Sequence, residues 1–548
     1  MVINSVEKTL QYDLLVIGAG VFGAMMALEA SQRGLKVLLL EKKDFGSGTS
    51  ANSLKTIHGG LRYLQSMDIS SCIISAKERK AWLTIAPGLV RPLPCILPTT
   101  KDLMKSKLVV GAGAIFYNAL TFGRNIGMSQ HALIPNAHLI SLSSLNQRLP
   151  KLTDTSVTGG ACWYDAQAVN TERLVLACVL AAEQAGARVE NYQTLERLSK
   201  DEHGYVSRLA GSQNEFRSRF VVDCSGRGCY LENQYLGQLS RTEFERPIYV
   251  KAVNLVMKKK ISTYAFGIKA KDSSGMTRLL FTAPWQNTLT GNDFTLIGTW
   301  YFTSENQTQE SLSGAELRQC IEQINSSFEV PICTEEDIVQ VHVGFLPADS
   351  SIVKARGPDA GLIKHACFKS WGELDAKYDG LYSLKGTKFT LARKAAEEAV
   401  TALQTTYNLN LGPSTSAKVP FWRGNQVAEN RLKLLDLTDS QRQFLLTYFP
   451  MGIEKIIELC EKDPEMNLAV PGAEYCCRAI FEYCFQNEFV HHLTDLLIRR
   501  VPIGAGELPC AKTSRYALDF LANKLLWDSA RQHDELSALE AYYMKRES

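Results

Sequence analysis

The stretch Leu14-Leu-Val-Ile17, followed at once by Gly18-Ala-Gly-Val-Phe-Gly23, decides the fold of the first part of this chain. The consecutive apolar residues predict a parallel strand that is buried on both faces. A helical pattern then runs to Gly34, and a second apolar strand, Val37–Leu40, ends in Glu41. This order of strand, glycine-rich turn, helix, strand and acid is typical of a unit that binds a dinucleotide.

Each residue of the turn has a physical role in such a unit. Gly18 allows the tight turn, Gly20 lets the backbone approach a pyrophosphate, and Gly23 permits close packing of the helix on the strand. Glu41 stands where a carboxylate can accept hydrogen bonds from a ribose. A carboxylate there repels the 2′-phosphate of NADP, so FAD and NAD remain as candidates.

The segment after the second strand favours FAD. Residues 46–53 form a small, hydroxyl-rich loop that contains Thr49, Ser50 and Ser53, and the string Ile57-His-Gly-Gly-Leu-Arg-Tyr-Leu64 follows it. A domain that binds only NAD needs no such loop. We therefore predict FAD as the cofactor, with Thr49, Ser50 and Ser53 among the residues that bind it.

Two later segments extend the predicted cofactor site. The run Arg219-Phe-Val-Val-Asp-Cys-Ser-Gly226 predicts a buried strand whose small last residues bring the backbone, at Gly226, close to the adenosine side of the cofactor. Residues 380–384 predict a strand, a turn with Gly386 and Thr387 follows, and residues 389–402 predict a helix. The N-terminus of that helix is suited to stabilise negative charge on a reduced flavin.

Composition indicates the class of protein. Apolar residues make up 45% and charged residues 21% of the 548 residues, as in folded globular proteins, and the length predicts roughly three domains. The net charge of +3 is too balanced to indicate a nucleic-acid partner. The cysteines lack C-x-x-C spacing, and His491-His492 have no acidic or cysteine partners at ligand spacing, so we predict no metal site.

The same residues bear on location. The opening residues lack the charged, apolar and small-residue regions of a signal peptide, so we expect a cytoplasmic protein with reduced thiols. The most apolar long stretch, residues 108–122, is shorter than the ~20 residues that a spanning helix needs. Together with nearby cations, it favours reversible contact with a membrane surface, at the inner face of the cell membrane. These cations are Lys101, Lys105, Lys107 and Arg124.

These segments together resemble the FAD-dependent glycerol-3-phosphate dehydrogenases and oxidases of the D-amino-acid-oxidase superfamily. The string His58-Gly-Gly-Leu-Arg-Tyr-Leu64 is the most specific part of the resemblance. The other matching segments are residues 13–20, Thr49-Ser50, Pro284-Trp285, residues 294–299, Lys388-Phe-Thr390 and Arg393-Lys394. The resemblance implies an α/β fold with a Rossmann-type FAD-binding domain, an inserted antiparallel-sheet substrate domain and a helical C-terminal domain. It also implies that Thr390 contributes to cofactor binding.

The implied domains have these expected boundaries: an FAD-binding domain of residues 1–85, 155–235 and 375–410, a substrate domain of residues 86–154 and 236–374, and a C-terminal domain of residues 411–548. Two β-rich runs, residues 280–284 and 294–302, joined by the polar residues 287–293, predict a hairpin in the substrate domain. In the last domain, Thr438-Asp-Ser-Gln441 predicts a capped helix and residues 489–500 predict another.

The chain departs from the family pattern at two places. Family members carry a G-x-R-P turn whose Arg grips the anionic group of the substrate, whereas this chain reads Gly344-Phe-Leu-Pro347, with Leu346 in place of Arg. The family's Gly-Gly-Lys before the last helix is Gly386-Thr-Lys388 here. We therefore expect the main phosphate clamp to be missing and the substrate to differ, with Arg356 or Lys364 as a replacement clamp if glycerol 3-phosphate is retained.

Flavin-dependent oxidation of a C–H beside a hydroxyl or amine requires a positioned carbon and a base for the O–H or N–H proton. His58 is the candidate base because an imidazole takes up protons near neutral pH; the alternative is a His that only bonds the loop or the flavin. Arg62 is the candidate anion binder, since its planar fork suits a carboxylate or phosphate; the alternative is a structural salt bridge.

Lys388 is the third candidate catalytic residue, either holding the substrate or polarising the flavin, against the alternative of a solvated lysine at a helix start. Tyr63 either walls the substrate pocket or belongs to the core. Arg356 is a candidate substrate-binding residue because it can replace the missing clamp.

The sequence thus predicts an FAD-dependent oxidoreductase that passes a hydride from a small, in some cases anionic, substrate to flavin N5, with quinone or oxygen as the electron acceptor. One alternative is an ordinary glycerol-3-phosphate dehydrogenase or oxidase that gives dihydroxyacetone phosphate. The other is a flavin-binding protein without turnover that acts as a scaffold. Whether the chain forms a homodimer stays open.

Overall fold

The computed structural model describes residues 10–213, 215–236, 248–271, 277–287, 292–303 and 311–543. The chain divides into two compact units. The first unit comprises Met1–Ala51, Val175–Val250 and Phe345–Val419, and the second unit comprises Asn52–Leu174, Lys251–Gly344 and Pro420–Ser548. The division into three functional domains stays a prediction.

The strands of the described chain, in order, are β1 (Leu10–Ile17), β2 (Val37–Leu40), β3 (Thr56–Ile57), β4 (Val90–Thr100), β5 (His138–Ser141), β6 (Val157–Ala168), β7 (Arg188–Glu190), β8 (Leu195–Asp201), β9 (Gly204–Leu209), β10 (Glu215–Asp223), β11 (Ile248–Met257), β12 (Ala265–Lys271), β13 (Thr277–Asn287), β14 (Asn292–Phe302), β15 (Ile338–Ala348), β16 (Cys367–Ser370), β17 (Leu381–Lys385), β18 (Ala469–Val470) and β19 (Ala473–Cys477).

The α-helices of the described chain are α1 (Val21–Gln32), α2 (Ile69–Ile85), α3 (Lys107–Leu120), α4 (Leu142–Asn146), α5 (Thr171–Gln184), α6 (Tyr230–Tyr235), α7 (Gly314–Asn325), α8 (Ser350–Arg356), α9 (Ala392–Tyr407), α10 (Gln426–Leu434), α11 (Asp439–Tyr448), α12 (Ile453–Lys462), α13 (Arg478–Asn487), α14 (Ala511–Leu525) and α15 (Ser529–Tyr543).

The first unit is built on a sheet in the order β16-β17-β10-β1-β2-β7, whose strands from β17 to β7 run parallel. The β8–β9 hairpin extends this sheet, with β9 antiparallel to β10. Leu14, Val16 and Val37 are almost completely buried, as expected for strands covered on both faces. Because parallel strands end at one edge, the loops after β1, β2, β10 and β17 emerge together there.

A second sheet, in the order β15-β11-β14-β13-β12-β4-β6-β3, is mainly antiparallel, with β5 paired to β6 and a parallel contact between β4 and β12. The predicted hairpin strands lie in β13 and β14, which pair antiparallel with Phe281 opposite Gly298. The middle of the predicted turn, residues 288–291, lies outside the described residues.

Helices α10 to α15 and the β18–β19 hairpin form the C-terminal part of the second unit. Thr438 caps α11 in a capping box with Gln441, as predicted. The helix predicted for residues 489–500 is wrong in its first half, because Phe489 adopts a left-handed φ of 55° and accepts a hydrogen bond from the buried Arg500 at 3.0 Å. A π-helical segment, Asp495–Arg500, occupies the second half. The predicted α/β fold class is confirmed.

Candidate functional site

The turn between β1 and α1 brings backbone segments into close contact. Gly18 has a φ of 94°, and a Cβ there would lie 2.8 Å from the Cα of Ser225 in the loop after β10. A Cβ on Gly23 would lie 1.8 Å from the carbonyl oxygen of Gly18, so the helix packs directly on the turn. By contrast, a Cβ on Gly20 would meet a single heavy atom of the described residues within 4 Å, the Ser50 Oγ at 3.2 Å. Beside Gly20 there is therefore room for a ligand.

Glu41 lies beside this turn because β1 and β2 are aligned, with Ile17 opposite Leu40. One carboxylate oxygen of Glu41 accepts a hydrogen bond from the Ala19 N–H at 2.8 Å, and the other accepts from the Lys43 N–H at 2.9 Å. Burial raises the pKa of Glu41, against the opposing effect of these two bonds. The carboxylate keeps lone pairs for further donors, and a ribose hydroxyl that bonded to it would favour its charged form.

The hydroxyl-rich loop is fixed to the same region. The Ser50 hydroxyl accepts a hydrogen bond from the Val21 N–H at 3.0 Å, and so pairs one of the N–H groups that a helix start leaves open. The Thr49 hydroxyl accepts from the Phe345 N–H at 2.9 Å and donates to the Phe345 carbonyl at 3.2 Å. Both hydroxyls thus hold the loop in place, Ser50 against α1 and Thr49 against β15.

A second tight turn follows β17. A Cβ on Gly386 would lie 2.3 Å from the ring of Phe22 on α1, so only glycine fits. The Thr387 hydroxyl donates to the Ile363 carbonyl at 2.7 Å. Lys388 is half-buried and precedes a 3₁₀ turn that contains the buried Thr390 and leads into α9. The predicted order of strand, turn and helix is found here, with the α-helix beginning at Ala392.

The remaining candidates of the first unit are exposed or half-buried. Gly226 is exposed and begins a short 3₁₀ turn after β10, while the guanidinium of the neighbouring Arg227 lies 4.2 Å from the ring centre of Phe345. Leu346 is half-buried on β15. Arg356 is exposed at the end of α8, and no ion pair joins it to another described residue.

In the second unit, strand register places His58 opposite Asp165. Thr56 pairs with Gln167 and Ile57 with Ala166, so the next step of the antiparallel β3–β6 pair brings His58 to Asp165. The His58 Nδ1 lies 3.0 Å from one Asp165 oxygen, and the Gly59 N–H donates to the other at 2.8 Å. The His58 ring also contacts Phe281 edge-on, at 5.7 Å between centres. Its side chain nevertheless keeps 55% of its surface exposed.

Asp165 is buried, and the groups around it keep it charged. Burial opposes ionisation, but the bond to His58, the charge of Arg79 and the bond from Gly59 outweigh it and hold the pKa of Asp165 below its ordinary value. The Nη1 of Arg79 lies 3.9 Å from Asp165 and donates to the Tyr117 hydroxyl at 2.9 Å. Burial raises the pKa of Tyr117 to about 12, so this hydroxyl stays protonated and donates to the Gly59 carbonyl at 3.0 Å.

The two glycines of the His58-Gly-Gly60 string are required by this packing. A Cβ on Gly59 would lie 2.1 Å from the Nη1 of Arg79, and one on Gly60 would lie 2.7 Å from the Cys72 carbonyl oxygen of α2. Gly60 also has a φ of 89°. Any side chain at these positions would push the loop away from α2 and move His58.

The other candidates of the second unit follow in sequence. Arg62 is exposed in the 3₁₀ turn Leu61–Ser66, and no described residue forms a hydrogen bond or ion pair with it, which disfavours the structural salt bridge. Tyr63 is half-buried against the cluster of Cys72 and Tyr117. Ser53 accepts a hydrogen bond from the Lys55 N–H at 3.2 Å.

The structure therefore brings together some of the candidate residues and leaves others apart. In the first unit, Gly18, Gly20, Gly23, Glu41 and Ser50 surround one turn, and Gly386 packs on Phe22 of the helix that this turn begins. Room beside Gly20, an anchored carboxylate and a helix N-terminus fit a pyrophosphate and ribose.

In the second unit, His58 is joined to residues that the sequence analysis missed. These are Asp165, Arg79, Tyr117 and Phe281. Asp165 is brought to His58 by the pairing register of β3 and β6, and this register cannot be derived from a single sequence.

The α3 region also has an unusual surface. Its buried side consists of small residues and Tyr117, while Leu108, Ile115 and Phe122 are exposed large apolar side chains. Lys101 and Lys107 are exposed beside them. Arg124 was predicted to add charge to this surface, but it is buried and donates to the Ile134 and Thr121 carbonyls. No helix within the described ranges is both long and apolar enough to cross a membrane.

The chain is similar to known FAD-dependent oxidoreductases. A family model described as FAD dependent oxidoreductase matches residues 13–375. The chain is 27% identical over 556 residues to the glycerol-3-phosphate dehydrogenase of Mycobacterium leprae (strain TN), covering 97% of this chain and 88% of that protein. It is 34% identical over 212 residues to the glycerol-3-phosphate dehydrogenase of Synechocystis sp., covering 39% of this chain and 37% of that protein.

Solved structures share the fold. The glycerol-3-phosphate dehydrogenase from Bacillus halodurans, complexed with FAD, superposes with a TM-score of 0.71 at 19% identity. The superposition includes 98% of this chain and 95% of the Bacillus halodurans chain. The L-alpha-glycerophosphate oxidase from Mycoplasma pneumoniae superposes with a TM-score of 0.51 at 15% identity and covers 75% of this chain and 98% of its own.

Proposed function

Since this chain belongs to the FAD dependent oxidoreductase family, we propose that it oxidises a C–H bond next to a hydroxyl or amine of a small substrate, and that Arg62 binds an anionic group of this substrate. Its cofactor is FAD, and it is an oxidoreductase similar to glycerol-3-phosphate dehydrogenases. When bound, FAD supplies the acceptor for the hydride that leaves the substrate carbon. The residues of the chain supply the binding groups and the base.

The observation that carries the proposal is the His58–Asp165 pair. Asp165 is buried and held in its charged form, it contacts the imidazole at Nδ1, and the His58 side chain keeps 55% of its surface exposed. In the proposed reaction the hydroxyl proton passes to His58 as the C–H hydride leaves, and the alcohol carbon becomes a carbonyl. An amine substrate would lose its N–H proton to the same atom and become an imine.

Arg62 is the proposed anion binder. Its exposed guanidinium has no ion-pair partner among the described residues, so its donors are available to a carboxylate or phosphate. We propose Lys388 as an additional positive charge at the start of the segment that leads into α9, acting on substrate or flavin. Tyr63 and Arg356 are proposed substrate contacts, and Thr49, Ser50, Ser53, Gly226, Gly386, Thr387 and Thr390 proposed cofactor contacts.

Leu346 favours a substrate other than glycerol 3-phosphate, because an apolar side chain cannot replace a charge-assisted bond to phosphate. The relatives named glycerol-3-phosphate dehydrogenase support the second candidate, in which glycerol 3-phosphate is oxidised to dihydroxyacetone phosphate and Arg356 or Lys364 acts as the clamp. A flavin-binding protein without turnover is the third candidate.

Anaerobic bleaching of the flavin by a substrate panel separates these candidates. The panel contains small alcohols, hydroxy acids, amino acids and glycerol 3-phosphate. Rapid bleaching by a hydroxy or amino compound, with slow bleaching by glycerol 3-phosphate, supports the altered substrate. Rapid bleaching by glycerol 3-phosphate supports the second candidate, and a panel that bleaches nothing supports the third.

The electron acceptor is proposed to be quinone or oxygen. The exposed apolar residues of the α3 region, together with Lys101 and Lys107, favour contact with an anionic membrane surface, where a quinone would be found. Reoxidation of the reduced protein by a short-chain quinone, compared with air-saturated buffer, distinguishes the two acceptors.

A further inference from the structure

The second unit contains two similar arrangements of a histidine, a carboxylate and a backbone N–H. At His58, one oxygen of Asp165 meets the imidazole Nδ1 at 3.0 Å and the other accepts the N–H of the next residue, Gly59, at 2.8 Å. At His492, one oxygen of Glu535 meets Nδ1 at 2.8 Å and the other accepts the N–H of the next residue, Leu493, at 2.8 Å. This second pair differs in one respect, since the Nη2 of Arg531 also lies 3.0 Å from the His492 Nδ1 and 2.6 Å from Glu535. In both cases a buried carboxylate spans an imidazole and the following backbone N–H.

This arrangement fixes which nitrogen of the imidazole carries the proton. A backbone N–H can only donate, so the oxygen that faces Gly59 must accept. The second oxygen of an ionised carboxylate also accepts, and it therefore requires a hydrogen on Nδ1 of His58. A neutral imidazole with its hydrogen on Nδ1 has its lone pair on Nε2.

The surroundings hold Asp165 in this orientation. Tyr117 donates to the carbonyl of Gly59, so both polar backbone groups of that residue are bonded. The Nε and Nη2 of Arg79 have no hydrogen-bond partner among the described residues, which leaves much of this buried positive charge to act on Asp165. The loop cannot rotate without moving Gly59 off Arg79 and Tyr117.

We propose that Asp165 is a positioning residue that holds His58 in the Nδ1–H tautomer, so that Nε2 is the atom that receives the substrate proton. Only the statement that Nε2 receives the substrate proton rests on the proposed function. The tautomer itself is a property of the protein and does not depend on turnover.

Asp165→Asn gives a specific expectation because the amide has one oxygen and one NH₂. The Gly59 N–H needs an acceptor, so the amide oxygen turns towards Gly59 and the NH₂ faces His58. The NH₂ then donates to Nδ1, and the imidazole hydrogen moves to Nε2. That tautomer cannot take up a proton at Nε2, so we expect kcat to fall by about 10⁴-fold, as when a buried aspartate behind a catalytic histidine is replaced in this way.

The test uses the FAD-loaded full chain labelled with ¹⁵N-histidine, and NMR shifts that distinguish protonated from unprotonated ring nitrogens. The His58→Gln variant identifies the His58 signals. Wild-type His58 should show Nδ1–H, and Asp165→Asn should show Nε2–H with unchanged flavin content. Glu535→Gln is the control at the second histidine–carboxylate pair, and it should move the His492 signals while leaving the His58 signals and kcat unchanged.

The outcomes separate the two proposals. A wild-type His58 with its hydrogen on Nε2 would overturn the positioning role, whether or not Asp165→Asn folds. A tautomer that stays unchanged in Asp165→Asn would overturn it as well. A switched tautomer with unchanged kcat would support the positioning of the ring and contradict His58 as the base.

Discussion

The hydroxyl of Thr49 forms two hydrogen bonds with the backbone of Phe345, accepting from its N–H at 2.9 Å and donating to its carbonyl at 3.2 Å. Phe345 directly precedes Leu346 on β15, so the backbone is held in a fixed place at the position where the family resemblance implies an arginine. An arginine at position 346 would therefore change only a side chain on an ordered strand. A single substitution should be enough to supply the clamp.

Leu346→Arg should raise kcat/KM for glycerol 3-phosphate by about ten- to a hundredfold, because one charge-assisted hydrogen bond contributes about 1.5 to 3 kcal/mol. Leu346→Gln is the matched control, since it adds polarity and length without charge. The rate of flavin reduction by glycerol 3-phosphate under anaerobic conditions measures the effect of each variant. An unmodified protein that already reduces its flavin rapidly with glycerol 3-phosphate would contradict the premise, and Arg356→Ala would then test the replacement clamp.

Gly20→Val should abolish retention of FAD. The backbone of Gly20 is extended, with a φ of −69° and a ψ of 179°, so valine is tolerated there, but its side chain would fill the room left for the pyrophosphate. Gly424→Ala is the control, because a Cβ there meets nothing within 4 Å. Flavin absorbance per protein and adenine release on denaturation report the result. Full flavin content in Gly20→Val would place the cofactor elsewhere.

Arg62→Gln should raise KM for the substrate by about tenfold or more while flavin content stays constant, because it removes a charge-assisted bond to the anion and no bond within the described chain. Arg62→Lys keeps the charge but loses the planar fork, so its KM should lie between those of wild type and Arg62→Gln. Steady-state kinetics with the best substrate of the panel provide the measurement. An equal KM in all three proteins would exclude Arg62 from binding.

The sequence predicted the elements that rest on local pattern. The buried run at Leu14 and the glycine turn after it are found as expected, because parallel strands and tight turns leave their mark within a few residues. The His58–Asp165 pair joins residues that are 107 positions apart, and it depends on the register of β3 on β6. The turn at Phe489 was missed for a similar reason, since it is stabilised by Arg500.

The stability of the C-terminal helices should depend on pH through His492. Its hydrogen bond to Glu535 raises the pKa of His492 above the ordinary value of about 6.5. A raised pKa stabilises the folded state fully below the unfolded value, and this stabilisation is lost as the pH rises through the folded value. The Tm difference between wild type and His492→Gln should therefore be largest near pH 6 and shrink towards pH 8.5. A difference that grows with pH would contradict the assignment.

The last prediction concerns the α3 region. Leu108 and Phe122 are 82% and 88% exposed, and full burial of such side chains contributes about 1.5 to 3 kcal/mol each. Replacing both with serine should weaken binding to anionic phosphatidylglycerol vesicles at low salt by at least about tenfold, without changing flavin content. Leu434 and Leu526 are 87% and 88% exposed elsewhere in the second unit, so their double serine variant is the matched control and should bind like wild type. Because Lys101 and Lys107 would add an electrostatic contribution, higher salt should weaken the binding of wild type and control alike. Equal loss in both double variants would show that exposed leucines in general cause the binding, and an unmodified protein that does not bind would favour a soluble electron acceptor.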